Sequence, residues 1–426
     1  MLTKQTVFDK IDFNGGNLSS DGGSILLLQF LKKLKLENEL NSIHFNDFRH
    51  LPVYSNSDIL YQLITRSLLG YFNQSDQSVL SHDPLLSKYV NACSQPTVSR
   101  FFDRAVQKTN YMLKDKMMKT ACEYVNQHID SPIIDADSTL ITTSGTQQAA
   151  SYIHHYAEVG YHPLVINEFQ SKLLLSAQLR TGSSYSSNGI INELQSIFSY
   201  LHTDNVRFRG DSAFYDTSLF QYLESNKVTY YIRTKNYTSI KRETAFDLFV
   251  NEDVELYAYT QSHPYYADIE YEVAGDIARR VVYKAYWTDN KAGNLSLLPT
   301  IYCVVTNDRE KTAEEIMDFY EQRGASENFT KELKNDFDGG RVSHKDFVKN
   351  EMEFLISSIS YNIFHVFQNE ILENEDKKIT MNTFRMYYQK IAVKVIKHAR
   401  EYTLSFSSSY NRQNTFIKYW NAVLQI

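Results

Sequence analysis

The sequence contains few cysteines, and it lacks long apolar runs. Its three cysteines, Cys93, Cys122 and Cys303, lie 29 and 181 residues apart, which matches neither a disulfide framework nor the paired spacing of a zinc site. The apolar runs, such as residues 25–28, are far shorter than the roughly 18 to 20 residues that cross a bilayer. The first residues contain no apolar stretch after the lysines and no small-residue cleavage site. We therefore expect buried thiols, no membrane partner, no secretory signal and a cytoplasmic protein.

The sequence also lacks an overall excess of positive charge. Its 44 lysines and arginines are outnumbered by 50 aspartates and glutamates. The positive charge is concentrated near the end, because Lys377–Ile426 carries a net charge of +8 while the remaining 376 residues carry −14. Such an asymmetry is typical of a segment that faces a polyanion, but a solvated basic helix gives the same pattern. Charge alone leaves both interpretations open.

The composition and the first part of the sequence predict a globular protein with a helical beginning. Of the 426 residues, 42% are hydrophobic and 22% are charged, which is typical of a soluble protein with several structural units. In residues 1–128, apolar residues recur at three- and four-residue spacing, which predicts a mostly helical N-terminal region. Within it, the stretch SQPTVSRFFDR is typical of an ordinary capped helix or of a DNA-reading helix that presents Arg100.

The pattern changes to strands near residue 131. Apolar runs of β type occupy residues 133–134, 152–156, 164–169 and 173–179. Predicted helices at 189–201 and 217–223 then alternate with strands at 206–208 and 228–233. Three consecutive strands, a helix, a fourth strand, a helix and a fifth strand are the order of a ribonuclease-H-like core. We therefore predict a mixed α/β fold in which residues 129–234 form the first part of this core.

The rest of the sequence divides into three predicted regions. Short alternating aromatic runs predict a β-rich insertion over residues 235–299, with strands at Val254–Thr260, Ile269–Val273 and Arg279–Trp287. Residues 300–370 predict the second part of the core, with a strand followed by one long helix from about Asp308 towards Asp336. Residues 371–426 predict a basic helical C-terminal region.

Three acidic residues stand out by their positions. Asp137 closes the first predicted strand, Asp211 closes the fourth, and Glu327 lies in the late helix. Because the first and fourth strands of a ribonuclease-H-like sheet are neighbours, carboxylates at their ends can lie close together, and a packed helix can add a third. Three converging carboxylates repel one another unless a cation neutralises them. Oxygen ligands suit Mg²⁺ or Mn²⁺, and two such ions would support an in-line phosphoryl displacement.

The late helix carries a further pattern. Tyr320, Arg323, Glu327 and Lys334 are separated by three, four and seven residues, which places them within an arc of roughly 60° on a continuous helix. That face combines a carboxylate with two cations and a phenol, and cations beside a metal site suit a phosphodiester substrate. An exposed helix with charged pairs gives the same spacing. Together with the strand-end aspartates, the pattern favours a phosphoryl-transfer site.

These four residues reproduce the Y-x2-R-x3-E-x6-K signature, by which the sequence resembles the DDE transposases of bacterial insertion sequences that carry a β insertion before the glutamate. More narrowly, it is similar to insertion-sequence family thirteen-eighty. The matching passages cover almost the whole chain and include LSSDGGSILLLQFL (18–31), GYFNQSDQSVLSHDPLL (70–86), QPTVSRFF (95–102), DADST (135–139), GTQQ (145–148), HYAEVGYHPL (155–164), LRTGSSYSSNG (179–189), RGDSAF (209–214), YYIRTKN (230–236) and SYNIF (360–364). The departures, Ala213 for a common glycine and Ile153 for a usual asparagine, touch no predicted metal ligand.

The resemblance implies the roles of the acidic residues. Asp137, Asp211 and Glu327 would be the catalytic residues and the ligands of two Mg²⁺ or Mn²⁺ ions. Asp135 is an alternative to Asp137, although Asp137 is the one followed by a serine and a threonine, as in related active sites.

The resemblance also implies the DNA contacts. Tyr320, Arg323 and Lys334 would contact the transposon-end DNA near the scissile phosphate. Trp287 would stack on a flipped base if the reaction passes through a hairpin, or it would be a buried sheet tryptophan.

The function that the resemblance implies is DNA transposition by cut and paste. The N-terminal region, with the β insertion and the basic C-terminus, would bind terminal inverted repeats in double-stranded DNA. The core would perform metal-dependent cleavage and strand transfer into target DNA. A homodimer or higher assembly, associated with the bacterial nucleoid, would join both ends in one event. Two alternatives stay open: a ribonuclease-H-like nuclease without strand transfer, and a non-catalytic protein that binds the repeats.

Overall fold

Both ends of the chain contribute to one structural unit, and the middle of the chain forms a second. The structure is a computed structural model that describes residues 11–235, 238–250, 259–272, 276–288, 296 and 298–426. Residues up to Arg104 belong to the first unit together with Phe367–Ile426, and Ala105–Val366 belongs to the second. Among the described residues, no helix has the length and the apolar character that a bilayer crossing requires. All three cysteines are buried free thiols, as predicted.

Short helices dominate the described residues before Ala105. They are preceded by one short strand, and the bounds are β1 (Leu18–Ser19), α1 (Ile25–Lys33), α2 (Leu36–Leu40), α3 (Asn56–Leu69), α4 (Gln77–His82), α5 (Leu86–Tyr89) and α6 (Gln95–Phe102). The start of α3 is fixed by a capping box, in which the Ser55 hydroxyl accepts from the Asp58 amide and the Asp58 carboxylate accepts from the Ser55 amide. The helix ends where Gly70 adopts a φ of +81°.

The second unit is built on strands that alternate with helices. Its elements are α7 (Gln107–His128), β2 (Ile133–Ser138), β3 (Ile141–Thr142), β4 (Ser151–Ile153), β5 (Glu158–Tyr161), β6 (Leu164–Glu168), β7 (Leu174–Gln178), α8 (Ile190–Tyr200), β8 (Arg207–Gly210), α9 (Thr217–Ser225), β9 (Thr229–Arg233), α10 (Thr238–Val250), β10 (Tyr265–Glu272), β11 (Ala278–Tyr286), β12 (Thr300–Thr306), α11 (Ala313–Glu321), α12 (Ser326–Asp336) and α13 (Phe347–Ile371). The boundary between the two units falls within α13.

The large sheet of this unit confirms the predicted mixed α/β, ribonuclease-H-like core. Its strand order is β10-β11-β12-β9-β8-β2-β6-β7. The first predicted strand, β2, lies beside the fourth, β8, and these two strands pair in parallel, as β8 and β9 do. The other neighbours pair antiparallel. The second and third strands of the core are β6 and β7.

The strand predicted at 152–156 lies outside this sheet. Ser151–Ile153 instead forms β4 of a small sheet with the order β3-β5-β4. A single apolar run shows that a strand forms but not which partner it pairs with, so the sequence could not assign this segment to a sheet.

The strands of the predicted β insertion extend the large sheet. β12, which lies in the predicted second part of the core, pairs antiparallel with β9, and β11 and β10 of the insertion follow outward from it. A helix, α10, precedes them within the same region. The strand predicted at Val254–Thr260 lies mostly outside the described residues. β10 and β11 are therefore continuous with the core sheet through backbone hydrogen bonds.

The two faces of the large sheet are covered by different helices. Alternate residues of a strand point to opposite faces, and Ile134 and Ala136 of β2 join a core cluster with residues of α7, α8 and α9. On the other face, Tyr231 of β9 packs with Ile316 and Met317 of α11. Asp135 and Asp137 alternate with Ile134 and Ala136, so they face α11 and α12.

The C-terminal region contains a β-hairpin as well as helices. Its elements are α14 (Met381–Phe384), β13 (Val393–His398), β14 (Glu401–Phe406) and α15 (Gln413–Gln425), and β13 also pairs with β1. The prediction of helices is wrong for β13 and β14. Val393 and Val395 are buried while Lys394 and Ile396 are exposed, and this period of two is the strand pattern. The density of basic residues had obscured it.

Candidate active site

Asp137 and Asp211 follow a pair of matched positions on neighbouring parallel strands. Ala136 of β2 is the register partner of Gly210 of β8, so each aspartate is the next residue along its chain. Adjacent strands lie about 4.8 Å apart, which places both aspartates at the same edge of the sheet. One Asp211 carboxylate oxygen accepts a hydrogen bond from the Ala213 amide at 2.8 Å. The structure therefore brings these two predicted site residues together.

The carboxylate of Asp135, the alternative to Asp137, is already hydrogen-bonded by other side chains. The Arg209 guanidinium donates from Nε to Oδ1 and from Nη2 to Oδ2 of Asp135, each at 2.7 Å, and both side chains are fully buried. The Ser326 hydroxyl also donates to Asp135 Oδ2. A buried carboxylate held by a bidentate arginine is neutralised within the protein. This arrangement leaves Asp137 as the aspartate of β2 that is available to a ligand.

Arg323 pairs with Asp137. Its Nη2 atom donates to Asp137 Oδ1 at 3.2 Å and to the Ala136 carbonyl oxygen at 3.3 Å. Burial opposes the charge on the guanidinium, but the attraction of Asp137 and of other groups raises the pKa of Arg323. A permanent positive charge therefore stands at the end of β2.

Two further residues of the predicted signature bind the end of β8 and the turn that follows β2. The Tyr320 hydroxyl donates to the Gly210 carbonyl oxygen at 3.3 Å. The Lys334 ammonium donates to the Leu140 carbonyl oxygen at 2.8 Å and to the Thr139 hydroxyl at 3.3 Å. Burial raises the pKa of Tyr320 to about 12, so its phenol stays protonated. Tyr320, Arg323 and Lys334 thus converge on the strand ends that carry the aspartates.

Glu327 lies at the start of α12, and the single long helix predicted there is wrong. α11 ends at Glu321, a 3₁₀ turn covers Gln322–Ala325, and α12 begins at Ser326. The turn contains Gly324, and glycine weakens an α-helix by about 1 kcal/mol relative to alanine. The signature residues are consequently spread over three segments, and Glu327 is exposed.

The three acidic residues act on one another electrostatically. Burial raises the pKa of Asp137 to about 6, Arg323 opposes this rise, and the carboxylates of Asp211 and Glu327 add to it. Mutual repulsion of this kind is what a cation would relieve. Among the residues that the structure describes, no three histidine, cysteine or acidic side chains are gathered closely enough to hold a metal ion. The donor atoms that Asp137, Asp211 and Glu327 offer are all carboxylate oxygens, which fit Mg²⁺ or Mn²⁺.

The two remaining predicted DNA contacts differ in exposure. Arg100 is exposed on α6 in the first unit, as a DNA contact requires. Trp287 is only 3% exposed and packs in the main core cluster, so it offers no ring face to a flipped base. The alternative interpretation, a buried sheet tryptophan, is therefore the one that the structure shows.

Tyr156 also lies at this site, although no motif predicted it there. It lies in the turn between β4 and β5, and its hydroxyl is 3.4 Å from the Ser138 carbonyl oxygen, next to Asp137. Burial, and then the negative charges of Asp137 and Asp211, raise its pKa. The only signal was its place in the passage HYAEVGYHPL, because the contact joins segments that no local pattern connects.

Solved structures of transposases are similar to this chain at low identity. The piggyBac transposase in a synaptic complex with hairpin DNA is 13% identical, with a TM-score of 0.47 over 86% of this chain and 80% of that chain. The Mos1 strand transfer complex is 11% identical, with a TM-score of 0.17 over 49% of this chain and 75% of that chain. A pre-cleavage Mos1 transpososome is also 11% identical, with a TM-score of 0.16 over 55% of this chain and 91% of that chain.

The sequence comparison spans almost the whole chain. Curated proteins give no match. Residues 4–426, however, match the family described as transposase DDE domain group 1. Because this match runs through both structural units and includes every acidic residue discussed above, the chain belongs to the transposase DDE domain family, and it is a DNA transposase that cleaves DNA and transfers strands.

Proposed function

We propose that Asp137, Asp211 and Glu327 hold the divalent metal ions on which DDE transposases depend. The observation that carries this proposal is the pairing of Ala136 with Gly210, which places Asp137 and Asp211 side by side. The occupation of Asp135 by Arg209 supports Asp137 as the first ligand. We further propose that the ions are two Mg²⁺ or Mn²⁺ ions. When bound, they would activate a water or a 3′-hydroxyl and stabilise the leaving oxygen.

The side chains around the carboxylates have two roles in this proposal. Arg323 and Lys334 place positive charge where the scissile phosphate would lie, and charge that is fixed before the reaction stabilises the transition state without reorganisation. Tyr320 holds the Gly210 carbonyl oxygen, directly before Asp211. Because these side chains bond to the strand ends, they also orient the backbone that presents the carboxylates.

The substrate in this proposal is double-stranded DNA with terminal inverted repeats, moved by cut and paste. The positions of Tyr320, Arg323, Glu327 and Lys334 around one sheet edge support the signature of insertion-sequence family thirteen-eighty. The exposed Arg100 on α6 supports DNA binding by the N-terminal region. The joining of two ends calls for a dimer or a higher assembly in the bacterial cytoplasm, in association with the nucleoid.

A strand-transfer assay tests this proposal. The full chain is incubated with a linear donor that carries the DNA flanking its reading frame, a target plasmid and either Mg²⁺, Mn²⁺ or no metal. We expect cleavage and joined products with metal, and neither for the variants Asp137→Asn, Asp211→Asn and Glu327→Gln. Asp318→Asn, which changes an exposed carboxylate of α11, serves as the control and should retain activity. Activity of Asp211→Asn would refute the metal assignment, and cleavage without joined products would indicate a nuclease.

A further inference from the structure

A cleft in the first unit combines lysines with tyrosines. It has a volume of about 580 Å³ and is lined by residues of α1, α2, α3, α5, β13 and β14, and by Lys35 between α1 and α2. Its charged and aromatic lining consists of Lys32, Lys35, Lys88, Glu37, Tyr61, Tyr89 and Tyr402. This volume is within the range of about 300 to 1,000 Å³ that is typical of ligand sites. We call it the lysine–tyrosine cleft.

The charge of the cleft favours an anionic ligand. Lys32, Lys35 and Lys88 are exposed, and among the described residues that line the cleft Glu37 is the single acidic one. The lining therefore carries a net charge of +2. Lysines are point charges that bind phosphates without demanding a particular geometry.

Tyr402 gives the cleft a partly exposed aromatic ring with cations beside it. The residue is 49% exposed. The Lys88 ammonium lies 5.2 Å from its ring centroid, and the Lys397 ammonium lies 5.8 Å from it. An aromatic ring with lysines beside it is the combination by which proteins bind single-stranded nucleic acid, since bases stack on the ring while cations follow the phosphates.

We propose that the lysine–tyrosine cleft binds a single-stranded segment of DNA. The phosphates would contact Lys32, Lys35 and Lys88, and a base would stack against Tyr402. A paired base within a duplex cannot offer its face to the ring, whereas an unpaired one can. An acidic peptide would satisfy the lysines but would leave the aromatic face without a planar partner. The proposal concerns a different site from the metal ligands, and strand cleavage leaves unpaired DNA of this kind whenever the two cuts are staggered.

Fluorescence anisotropy with the full chain tests this proposal in the presence of EDTA. The probe is a labelled oligothymidine, and the competitors are an unlabelled oligothymidine, a duplex and polyglutamate. For Tyr402→Ala we expect the Kd to rise about five- to hundredfold, the usual effect of removing a stacking residue. Tyr402→Phe keeps the ring and should bind as the unchanged protein does.

The lysines are tested by the salt dependence of the same binding. The double variant Lys32→Gln and Lys88→Gln should lower the slope of log K against log salt by about 1.4, since each phosphate contact to a single strand contributes about 0.7. Lys378→Gln removes a lysine that is 72% exposed in the same unit and outside the cleft, and it should leave the slope unchanged.

The outcomes separate this proposal from the metal assignment. Unchanged affinity in both Tyr402→Ala and the double lysine variant would overturn the cleft proposal, and so would stronger competition by polyglutamate or the duplex than by oligothymidine. If Tyr402→Ala fails to fold, the double lysine variant alone decides. Because binding in EDTA requires no cleavage, failure here leaves the metal ligands untouched, and loss of catalysis by Asp211→Asn leaves the cleft untouched.

Discussion

The guanidinium of Arg209 binds both carboxylate oxygens of Asp135, two residues before Asp137 in the same strand. The two aspartates on one face of β2 therefore differ in their surroundings. One neutralises a buried arginine that also donates to the Phe319 carbonyl oxygen of α11 at 2.8 Å. The other stands at the strand end and is partly exposed.

This difference predicts separate effects of two matched substitutions. Asp135→Asn should lower the free energy of unfolding by about 3 to 5 kcal/mol, because it leaves Arg209 buried without a counter-charge. Asp137→Asn should abolish DNA cleavage while changing stability much less. Urea unfolding and the strand-transfer assay measure the two effects. A stable but inactive Asp135→Asn protein would reverse the assignment.

Substitution of Arg323 should slow DNA cleavage without unfolding the protein. Arg323→Gln removes the positive charge next to Asp137 and should slow cleavage by about 10² to 10³, as the loss of one fixed transition-state contact usually does. The control is Lys331→Gln, which changes an exposed cation of α12 and should cleave at the normal rate. Single-turnover cleavage at saturating DNA separates this effect from DNA affinity. An equal loss in both variants would point to net charge instead.

Asp308 should make a contribution to the stability of the fold that depends on pH. It follows β12, and its carboxylate accepts from the Tyr231 hydroxyl at 2.6 Å and from the Glu310 and Lys311 amides. Burial opposes the charge, but these bonds and the Lys311 ammonium lower the pKa to about 2. A lowered pKa stabilises the fold above the unfolded-state value near 4, and this stabilisation is lost as the pH falls towards 2.

The matching substitution is Asp308→Asn. It should lower the free energy of unfolding by about 2 kcal/mol at pH 7. The difference from the unchanged protein should shrink between pH 4 and pH 2. Urea unfolding at a series of pH values measures it, and a difference that does not depend on pH would contradict the electrostatic explanation.

The position of Gly23 in the first unit has no room for a side chain. A Cβ atom at this position would lie 1.5 Å from the Tyr388 carbonyl oxygen. The backbone at Gly23 and the backbone at Tyr388 would therefore have to move apart. Gly23→Ala should cost about 3 kcal/mol or more. Gly324→Ala is the control, because nothing lies within 4 Å of its added Cβ. Hydrogen exchange of α1 reports the loss, and normal protection in Gly23→Ala would show that the backbone yields easily.

The sequence predicted those features that follow from local periodicity and element order. β2 beside β8 follows from the strand and helix order, and the position of each aspartate at a strand end follows from where the apolar run stops. A buried position for Trp287 was one of two alternatives that the sequence left open, the other being stacking on a flipped base. The break between α11 and α12 was missed because the signature residues keep a helical spacing across Gly324.

Other features depend on contacts between distant segments, which no local pattern contains. The pairing of β11 with β12 joins the predicted insertion to the core sheet, yet the strand patterns alone fit a separate sheet equally well. Likewise, the structural role of Asp135 requires Arg209 to be its register partner in the next strand. Tyr156 reaches the site through a turn of the small sheet for the same reason.

The construction of the first unit from both ends of the chain affects how the protein matures on the ribosome. Phe30 of α1 packs edge-on against Phe367 with ring centroids 5.3 Å apart, and Asp21 accepts a hydrogen bond from Gln389 at 2.9 Å. The helices synthesised first therefore keep apolar surface uncovered until Ala105–Val366 and then Phe367–Ile426 have been synthesised. A message that is cut short would yield a chain in which this unit cannot close, so incomplete copies would be exposed to chaperones and proteases.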